Sequence, residues 1–522
     1  MPDQILFINP HFPFHGSQFE VEFPVHIIYN ATYLKARLES ALGLASVCFN
    51  VLDLVAEWRL HPCLDMNDPG TIEREVKEKI DSSLSFAGGD LFFVVISCFT
   101  SLQYLATRAI VSILRDAATG REIPEPVIIV GGYHPTAVPE DFTNLGVDYI
   151  VQGEGELVLS HIVLRHVTSR RGRDPGSGPR IVKGIPVDDL DSLPLPDFSL
   201  YQPYLPHFKR LAIALSRGCS RACTFCCEPT AKGLRHGASK WRAYSPARAN
   251  QEIDHVIAVT EEMLGQDAER SMMFYDPIFG FDRKWCSSVL DHLISLESGY
   301  SPWAETRIDT ISRQQLDRLK KAGVHFMLGL ESGSPVILSL MNKTRRPREF
   351  IDNLERLLVL AKEIDYGPFV INLIENFPGE TLATITETFD FLEKLARKEI
   401  QFTLADQLYN VFPGDGVFSS LGWWEHEFGT RVFYPRWWTD ARTIPYREVI
   451  DASRGFRFDA AIAVYAQKSM ELFKTCMENV PDLRYKFEYL SRQRREEQKY
   501  RARLDLAEHI RPNAAAVVIP DS

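Results

Sequence analysis

The sequence predicts an α/β protein in two parts, a doubly wound parallel sheet followed by a partial (β/α) barrel, on three observations. Apolar, β-branched runs alternate with helical stretches along most of the chain, a Gly, Pro, Ser and Arg-rich stretch near residue 170 interrupts them, and six further strand-like runs follow. With 522 residues and 45% hydrophobic composition the chain can bury more than one core. Its 24% charged and 11% aromatic residues exclude a disordered, collagenous or coiled-coil chain.

Residues 5–9, 46–54, 91–97 and 127–130 read as parallel strands, because runs without polar alternation belong to sheets covered on both faces. Ile27, Ala31, Leu34, Leu38 and Leu42 recur at helical spacing and supply cover. Doubly wound sheets bind ligands at the carboxyl ends of their strands, which puts Asn9, Ser97, Thr100, Gly131, Gly132 and Gly153 where a ligand would sit. SRRGRDPGSGPR (169–180) and LDSLPLPDF (190–198) carry no apolar period and read as a linker. Strands are then expected at 211–215, 272–275, 303–308, 325–330, 369–374 and 402–409, with helices at 247–263, 314–322, 350–364 and 381–395. Six such units fall short of the eight that close a barrel. The expected division is 1–168, a linker at 169–204, the partial barrel at 205–416 and a small, mainly helical region at 417–522.

A formal charge of -11, from 58 Lys and Arg against 69 Asp and Glu, argues against a generic nucleic-acid binder but leaves room for a local basic patch. The longest apolar run, 91–99, is well short of the roughly twenty residues of a membrane span. The start MPDQILFINP lacks an export pattern, so a cytoplasmic location without membrane insertion is expected. Trp423, Trp424, Trp437 and Trp438 read either as the core of the last region or as a lid over a planar or apolar substrate. The basic stretch 492–503, interrupted by Glu496 and Glu497, reads as a solvated helix.

The sharpest signal is Cys219, Cys223 and Cys226, spaced C-x3-C-x2-C in ALSRGCSRACTFCCEP just after the first barrel strand. Thiolates are the soft ligands iron-sulfur clusters need, and three of them leave one iron of a four-iron cube open. A structural zinc site would want a fourth Cys or His at regular spacing, and Cys227 is poorly placed to supply it. Cys227, Cys48, Cys63, Cys98, Cys286 and Cys476 read as small buried hydrophobes.

With Phe225 at the aromatic position of C-x3-C-x-aromatic-C, the loop resembles that of the radical S-adenosylmethionine (SAM) superfamily. MMFYDPIFGFD (272–282), WAETRID (303–309), GLESGSPVILSLMNK (329–343), NFPGET (376–381) and FPGDGVF (412–418) follow the order of its cobalamin-binding class. ILFINP (5–10), SCFTS (97–101), IIVGGYHPTAVPED (128–141) and YIVQGEGE (149–156) resemble that class's B12-binding module. The likeness covers roughly residues 1–415.

The resemblance implies a Rossmann-like (flavodoxin-like) cobalamin-binding domain and a (β/α)6 TIM-type barrel. It implies a [4Fe-4S] cluster on Cys219, Cys223 and Cys226 whose open iron takes SAM. Phe225, Asp276, Glu305, Arg307, Glu331 and Ser332 become expected SAM contacts, with Glu331 toward the ribose or ammonium and Arg307 toward the carboxylate. The alternative for Arg307 is a barrel-interior salt bridge to Glu305 or Glu331. Cobalamin contacts are expected at Asn9, Ser97, Thr100, Ser101, Gly131, Gly132, His134, Gly153 and Glu154. D-x-H-x-x-G is absent, so His134 reads as a contact to the nucleotide tail or a propionamide. The implied function is methylation of an unactivated centre in a small-molecule or peptide substrate, through a 5'-deoxyadenosyl radical and methylcobalamin. Oxidation or cyclisation with the same cofactors, and a non-catalytic cluster-bearing binding protein, are the alternatives. An external one-electron reductant of flavodoxin or ferredoxin type is the expected partner, and RNA modification is disfavoured by the acidic balance.

Overall fold

The structure, a computed structural model, describes residues 3–11, 23–43, 47–60, 68–83, 91–120, 122–174, 178–228, 240–263, 270–297, 299–479, 495 and 497–506. The chain divides into two units. The first comprises Met1–Arg221, Cys227–Pro277 and Gly299–Pro302; the second comprises Ala222–Cys226, Ile278–Ser298 and Trp303–Ser522.

In the first unit six parallel strands, β1 (Asp3–Asn9), β2 (Val47–Asp53), β3 (Phe92–Ser97), β4 (Val127–Gly131), β5 (Tyr149–Gln152) and β6 (Arg180–Lys183), form one sheet in the order β2-β1-β3-β4-β5-β6. Every position of β1 is buried, as are Phe93, Val94 and Ile96 on β3 and Ile128 and Val130 on β4. Helices α1 (Val25–Leu42), α2 (Leu54–Leu60), α3 (Pro69–Ser83), α4 (Tyr104–Thr119), α5 (Tyr133–Ala137) and α6 (Glu156–Ser169) intervene, with α1 packed on α6 and α3 on α4. The order reverses between β1 and β3, which is the crevice such sheets use for ligands.

The expected linker, 169–204, belongs to this unit. Residues 180–183 are β6, in register with β5 from Tyr149↔Arg180 to Gln152↔Lys183. Farther along, Lys35 pairs with Asp197 at 2.6 Å, and the Tyr204 hydroxyl donates to Glu57 at 2.7 Å. Prolines break any apolar period there, so the segment is held by individual side chains that leave no repeating pattern to read.

The same unit holds the opening of the barrel. Here β7 (Leu211–Ile213) lies parallel to β10 (Ser271–Phe274), and β8 (Ser216–Arg217) lies antiparallel to β9 (Arg242–Ala243). In the second unit β11 (Ser301–Thr306, from Trp303 on), β12 (His325–Glu331), β13 (Phe369–Glu375) and β14 (Phe402–Leu408) pair parallel in chain order. Helices Arg313–Lys321, Pro347–Glu363 and Leu382–Arg397 separate them. Along β13 the odd positions are buried and the even ones half-buried, as a barrel strand requires with one side under helices and the other toward an open interior. All six expected barrel strands are present.

The final region is mainly helical, as expected, with Leu421–Phe428 and Phe458–Asn479 flanking a short antiparallel pair, β15 (Arg431–Val432) and β16 (Ile450–Asp451). Trp424, Trp437 and Trp438 are core residues. Trp437 is fully buried, its indole N–H donating to the Val411 carbonyl at 2.9 Å, whereas Trp423 is 49% exposed. The stretch expected as a solvated helix is anchored instead: Lys499 pairs with Asp406, and Arg503 with buried Glu375 at 3.0 Å. Residues 492–494 and 496 lie outside the described residues. Cys98, Cys286 and Cys476 are buried as expected, but Cys48 is exposed and Cys227 half-buried; Cys63 lies outside the described residues.

Replacing Trp437 by Ala is expected to cost about 3–5 kcal/mol in urea unfolding followed by circular dichroism, because it empties a closed core and orphans a carbonyl. Trp423→Ala is expected to stay within about 0.5 kcal/mol.

Candidate functional site

The cysteine loop is fixed from its backbone outward. Within the second unit, Thr224 donates its N–H to the Met341 carbonyl at 2.9 Å and its hydroxyl to the Leu340 carbonyl at 3.1 Å. Asn342 Nδ2 donates to the Ala222 carbonyl at 2.8 Å. The Cys226 N–H donates to the Cys223 carbonyl at 3.2 Å, closing a turn that carries both thiols. Phe225, between them, packs against the core cluster around Trp424, and Lys343 Nζ lies 5.8 Å from its ring centroid.

Arg307 is held just past the end of β11. It pairs with Asp309 at 2.9 Å, donates to the Lys343 carbonyl at 2.7 Å and directs Nη1 toward Cys223 Sγ at 3.8 Å. The alternative expectation, a bridge to Glu305 or Glu331, gives way to Asp309, which the turn after β11 presents two residues on. Glu331 pairs instead with Lys343 at 2.7 Å, both buried. Gly329 makes room for that pair, since a Cβ there would stand 2.7 Å from Glu331 Oε1 and 2.8 Å from Lys343 Nζ. Lys343 was not read from the sequence, although it closes the GLESGSPVILSLMNK string that Glu331 opens. Glu305 is exposed on β11. Ser332 is buried in a separate network, its hydroxyl 3.0 Å from that of Thr388 and accepting from the Ser334 N–H at 3.1 Å.

Cys219, Cys223 and Cys226 are half-buried and form no disulfide. Among the described residues no three His, Cys, Asp or Glu side chains close on a single metal ion. A four-iron cube asks for something different, one thiolate to each of three irons. A loop of three thiols with a guanidinium N–H directed at one sulfur fits that demand, because a cationic donor complements the negative charge that thiolates bring.

In the first unit Asp276 follows β10 and accepts from the Leu215 N–H at 3.2 Å and from the Ser216 hydroxyl. It thereby ties the end of β10 to the chain leaving β7. Burial pushes its carboxyl up to about 7, against the pull of these hydrogen bonds.

The carboxyl ends of β3, β4 and β5 open on a cavity of about 210 Å³ walled by the first turns of α1 and α6. Ser97, Gly131, Gly132, Gly153 and Glu154 line it. Gly132 has φ +120°, and a Cβ there would collide with the Cys98 carbonyl. Glu154 is engaged by Arg242 and by the Val187 N–H at 3.1 Å, while Arg217 pairs with Glu156 at 2.7 Å. A residue missed in the sequence also lines the cavity. His26 stacks on Phe99 with centroids 4.4 Å apart, burial pushes its pKa down to about 3, and its Nε2 is buried without a hydrogen-bond partner among the described residues. Nothing in its surroundings in the sequence marks it.

Asn9, Thr100, Ser101 and His134 do not line the cavity. Asn9 donates to Asp53 at 3.1 Å and accepts from Gln103 at 3.0 Å, and Thr100 caps the turn at Leu102. His134, expected as a ligand contact, is instead enclosed. Its ring nitrogens face the Ser101 hydroxyl at 2.8 Å and Asp141 at 3.3 Å, between the rings of Tyr104 and Phe142. The short helix α5 begins at once after Gly132 and carries His134 into the packing of α4.

The folded state holds the Asp276 proton up to about pH 7, whereas the unfolded chain releases it near 3.8. The fold therefore binds more protons across that window, and its stability falls as pH rises through it, by at most about 4 kcal/mol. Asp276→Asn is expected to flatten this part of the pH–stability curve in urea unfolding, and an unaltered slope would contradict the assignment.

Residues 213–392 match the family model of the Radical SAM superfamily. The chain is similar to an uncharacterized methyltransferase of Pyrococcus horikoshii, 25% identical over 366 residues, 64% of this chain and 72% of the relative. It is also similar to the bacteriochlorophyllide d C-12(1)-methyltransferase of Chlorobaculum tepidum, 23% identical over 303 residues, 56% of this chain and 60% of the relative. In fold it resembles the radical SAM methyltransferase TsrM of Kitasatospora setae, solved with cobalamin and a [4Fe-4S] cluster bound. The TM-score is 0.59 at 16% identity, over 83% of this chain and 77% of that one. The matched stretch begins on β7 and runs through the cysteine loop to the helix after β13, so the chain carries a radical SAM domain.

Proposed function

We propose that this enzyme is a cobalamin-dependent methyltransferase acting on a small-molecule or peptide substrate. The observation that carries this reading is the cavity at the carboxyl ends of β3, β4 and β5, lined within the first unit largely by apolar side chains and glycine backbone. Glycine at its rim admits close backbone approach, and the unpaired His26 Nε2 offers one polar contact within apolar walls. These features fit the nucleotide tail of a corrinoid, with residues 1–168 as the core of its domain and 205–416 as the radical SAM core. The methyltransferase relatives favour methyl transfer over oxidation or cyclisation.

Cys219, Cys223 and Cys226 would hold the cluster, and Arg307 donates to Cys223 from the side. Glu331, charge-compensated by Lys343, would accept from the ribose or ammonium of SAM. Arg307, already committed to Asp309 and the Lys343 carbonyl, orients the loop more than it binds a carboxylate. Asp276 and Ser332 hold strand ends in register from behind. When bound, the cluster supplies the electron that cleaves SAM, and cobalamin carries the methyl group. A one-electron reductant is the protein partner. Among the described residues no helix is long and apolar enough to cross a membrane.

The test is metal content after anaerobic purification with cobalamin available, followed by turnover with SAM deuterated in its methyl group. About four irons and about one cobalt, with label in product, are expected. Iron without cobalt after reconstitution, and no label transferred, would refute the reading. His26→Phe preserves the ring against Phe99 and removes the nitrogen; it is expected to weaken cobalamin binding about tenfold with iron content unchanged.

A further inference from the structure

We propose that the face formed by Val336, Leu340, Arg345, Arg346 and Arg348 docks a small acidic electron-carrier protein that reduces the cluster. The proposal rests on the reading of Cys219, Cys223 and Cys226 as cluster ligands.

The face is a shallow groove of about 600 Å³ between the helices Pro335–Leu340 and Pro347–Glu363. Its floor is apolar and open, with Val336 54% exposed. Leu340 and Phe428 meet over Gly379, and the Phe428 ring lies 5.5 Å from that of Trp423. The apolar strip therefore continues to Trp423, the one of four neighbouring tryptophans that the fold leaves outside the core. Contiguous exposed apolar surface of this kind marks an interaction site.

Charge selects the partner. Arg345, Arg346 and Arg348 are exposed and lie within four residues of one another in a chain whose net charge is -11. Glu349 offsets only Arg346, in an exposed pair at 3.2 Å, so the patch remains cationic. A cationic rim around an apolar floor complements an acidic protein surface and steers its encounter. The back of the groove gives the contact a purpose. The carbonyls of Leu340 and Met341 accept from the hydroxyl and N–H of Thr224, whose chain neighbour is Cys223. An electron arriving at Leu340 is thus one hydrogen bond, to the Thr224 hydroxyl, and one peptide unit from a cluster ligand. The step is a one-electron transfer: the reduced flavin or iron-sulfur centre of the carrier is oxidised by one electron and the [4Fe-4S] cluster is reduced by one, with no bond made or broken. Single-stranded RNA, the other polyanion, is recognised on stacking platforms of several aromatic rings, whereas this face offers aliphatic Val336 and Leu340 with the exposed ring of Trp423 at its far end, set edge-on to Phe428.

The experiment compares the wild-type chain with Arg345→Glu/Arg346→Glu/Arg348→Glu and with Trp423→Ala, all solvent-exposed substitutions. Binding of oxidised flavodoxin to the full, cluster-free chain is followed by flavin fluorescence at low and raised salt. SAM cleavage by the reconstituted enzyme is driven by reduced flavodoxin or by dithionite. Expected are wild-type binding that weakens with salt, a loss of at least about tenfold on charge reversal and a smaller loss for Trp423→Ala. Flavodoxin-driven cleavage should fall in step while dithionite-driven cleavage is unchanged. Absence of wild-type binding, or affinity within about twofold after charge reversal, overturns the docking proposal. So does tight tRNA binding by the wild type that the triple variant loses. Failure of the wild type to cleave SAM even with dithionite would instead overturn the cluster reading, and the binding arm would still judge the surface.

Discussion

The second unit depends on the hydrogen bonds that fasten residues 222–226 to the carbonyls of Leu340 and Met341 and to the Asn342 side chain. A loop of three thiols presented to solvent has no conformational preference that would hold its sulfurs for a cluster, and ordering it costs chain entropy. Three hydrogen bonds, one between main chains and two from the Thr224 and Asn342 side chains, offset that cost before any metal arrives. They also couple the loop to the turn after Pro335–Leu340, and through Lys343 to Glu331 at the end of β12. Arg307 closes the circuit by reaching Cys223 and the Lys343 carbonyl together. Ligand loop, strand end and helix terminus thus form one mechanical element.

The first unit solves a different problem. Its cavity lies at the carboxyl ends of β3, β4 and β5, and most of its wall is apolar side chain or glycine backbone. Polar groups nearby are mostly paired among themselves. Glu154, Glu156, Arg217 and Arg242 compensate one another along one wall, and Asn9, Asp53 and Gln103 do so behind another. Against that background His26 Nε2, buried in the cavity wall without a hydrogen-bond partner among the described residues, stands out, and burial holds the ring neutral at physiological pH.

Much of this was legible in the sequence, for reasons that vary with the element. The strands β1, β3 and β4 and the six barrel strands are apolar runs buried on one or both faces, and such runs declare themselves. The cysteines declare themselves by spacing, and Glu331 by its neighbours. What remained hidden depends on tertiary pairing. Lys343 finds Glu331 only after the chain turns back, and Asp309 takes Arg307 because of the geometry of one short turn. His134 sits in a motif that invites a ligand, yet α5 folds it inward. His26 carries no local signal, because its importance comes from a partner it lacks. The segment holding β6 and Tyr204 escaped notice because its anchors are single residues amid prolines.

That last segment has a consequence for any attempt to take the enzyme apart. The sheet of the first unit is completed by residues 180–183, and its core receives Phe198, Tyr201 and Tyr204. The same unit then reclaims residues 227–277 after the chain has left it. A fragment cut near residue 168 would expose the edge of β5 and lose those rings, which is the condition under which sheets pair with the wrong partner. Modules that look separable as text are interleaved in the folded chain, so exchanging cofactor domains between relatives calls for junctions chosen by contact rather than by sequence position.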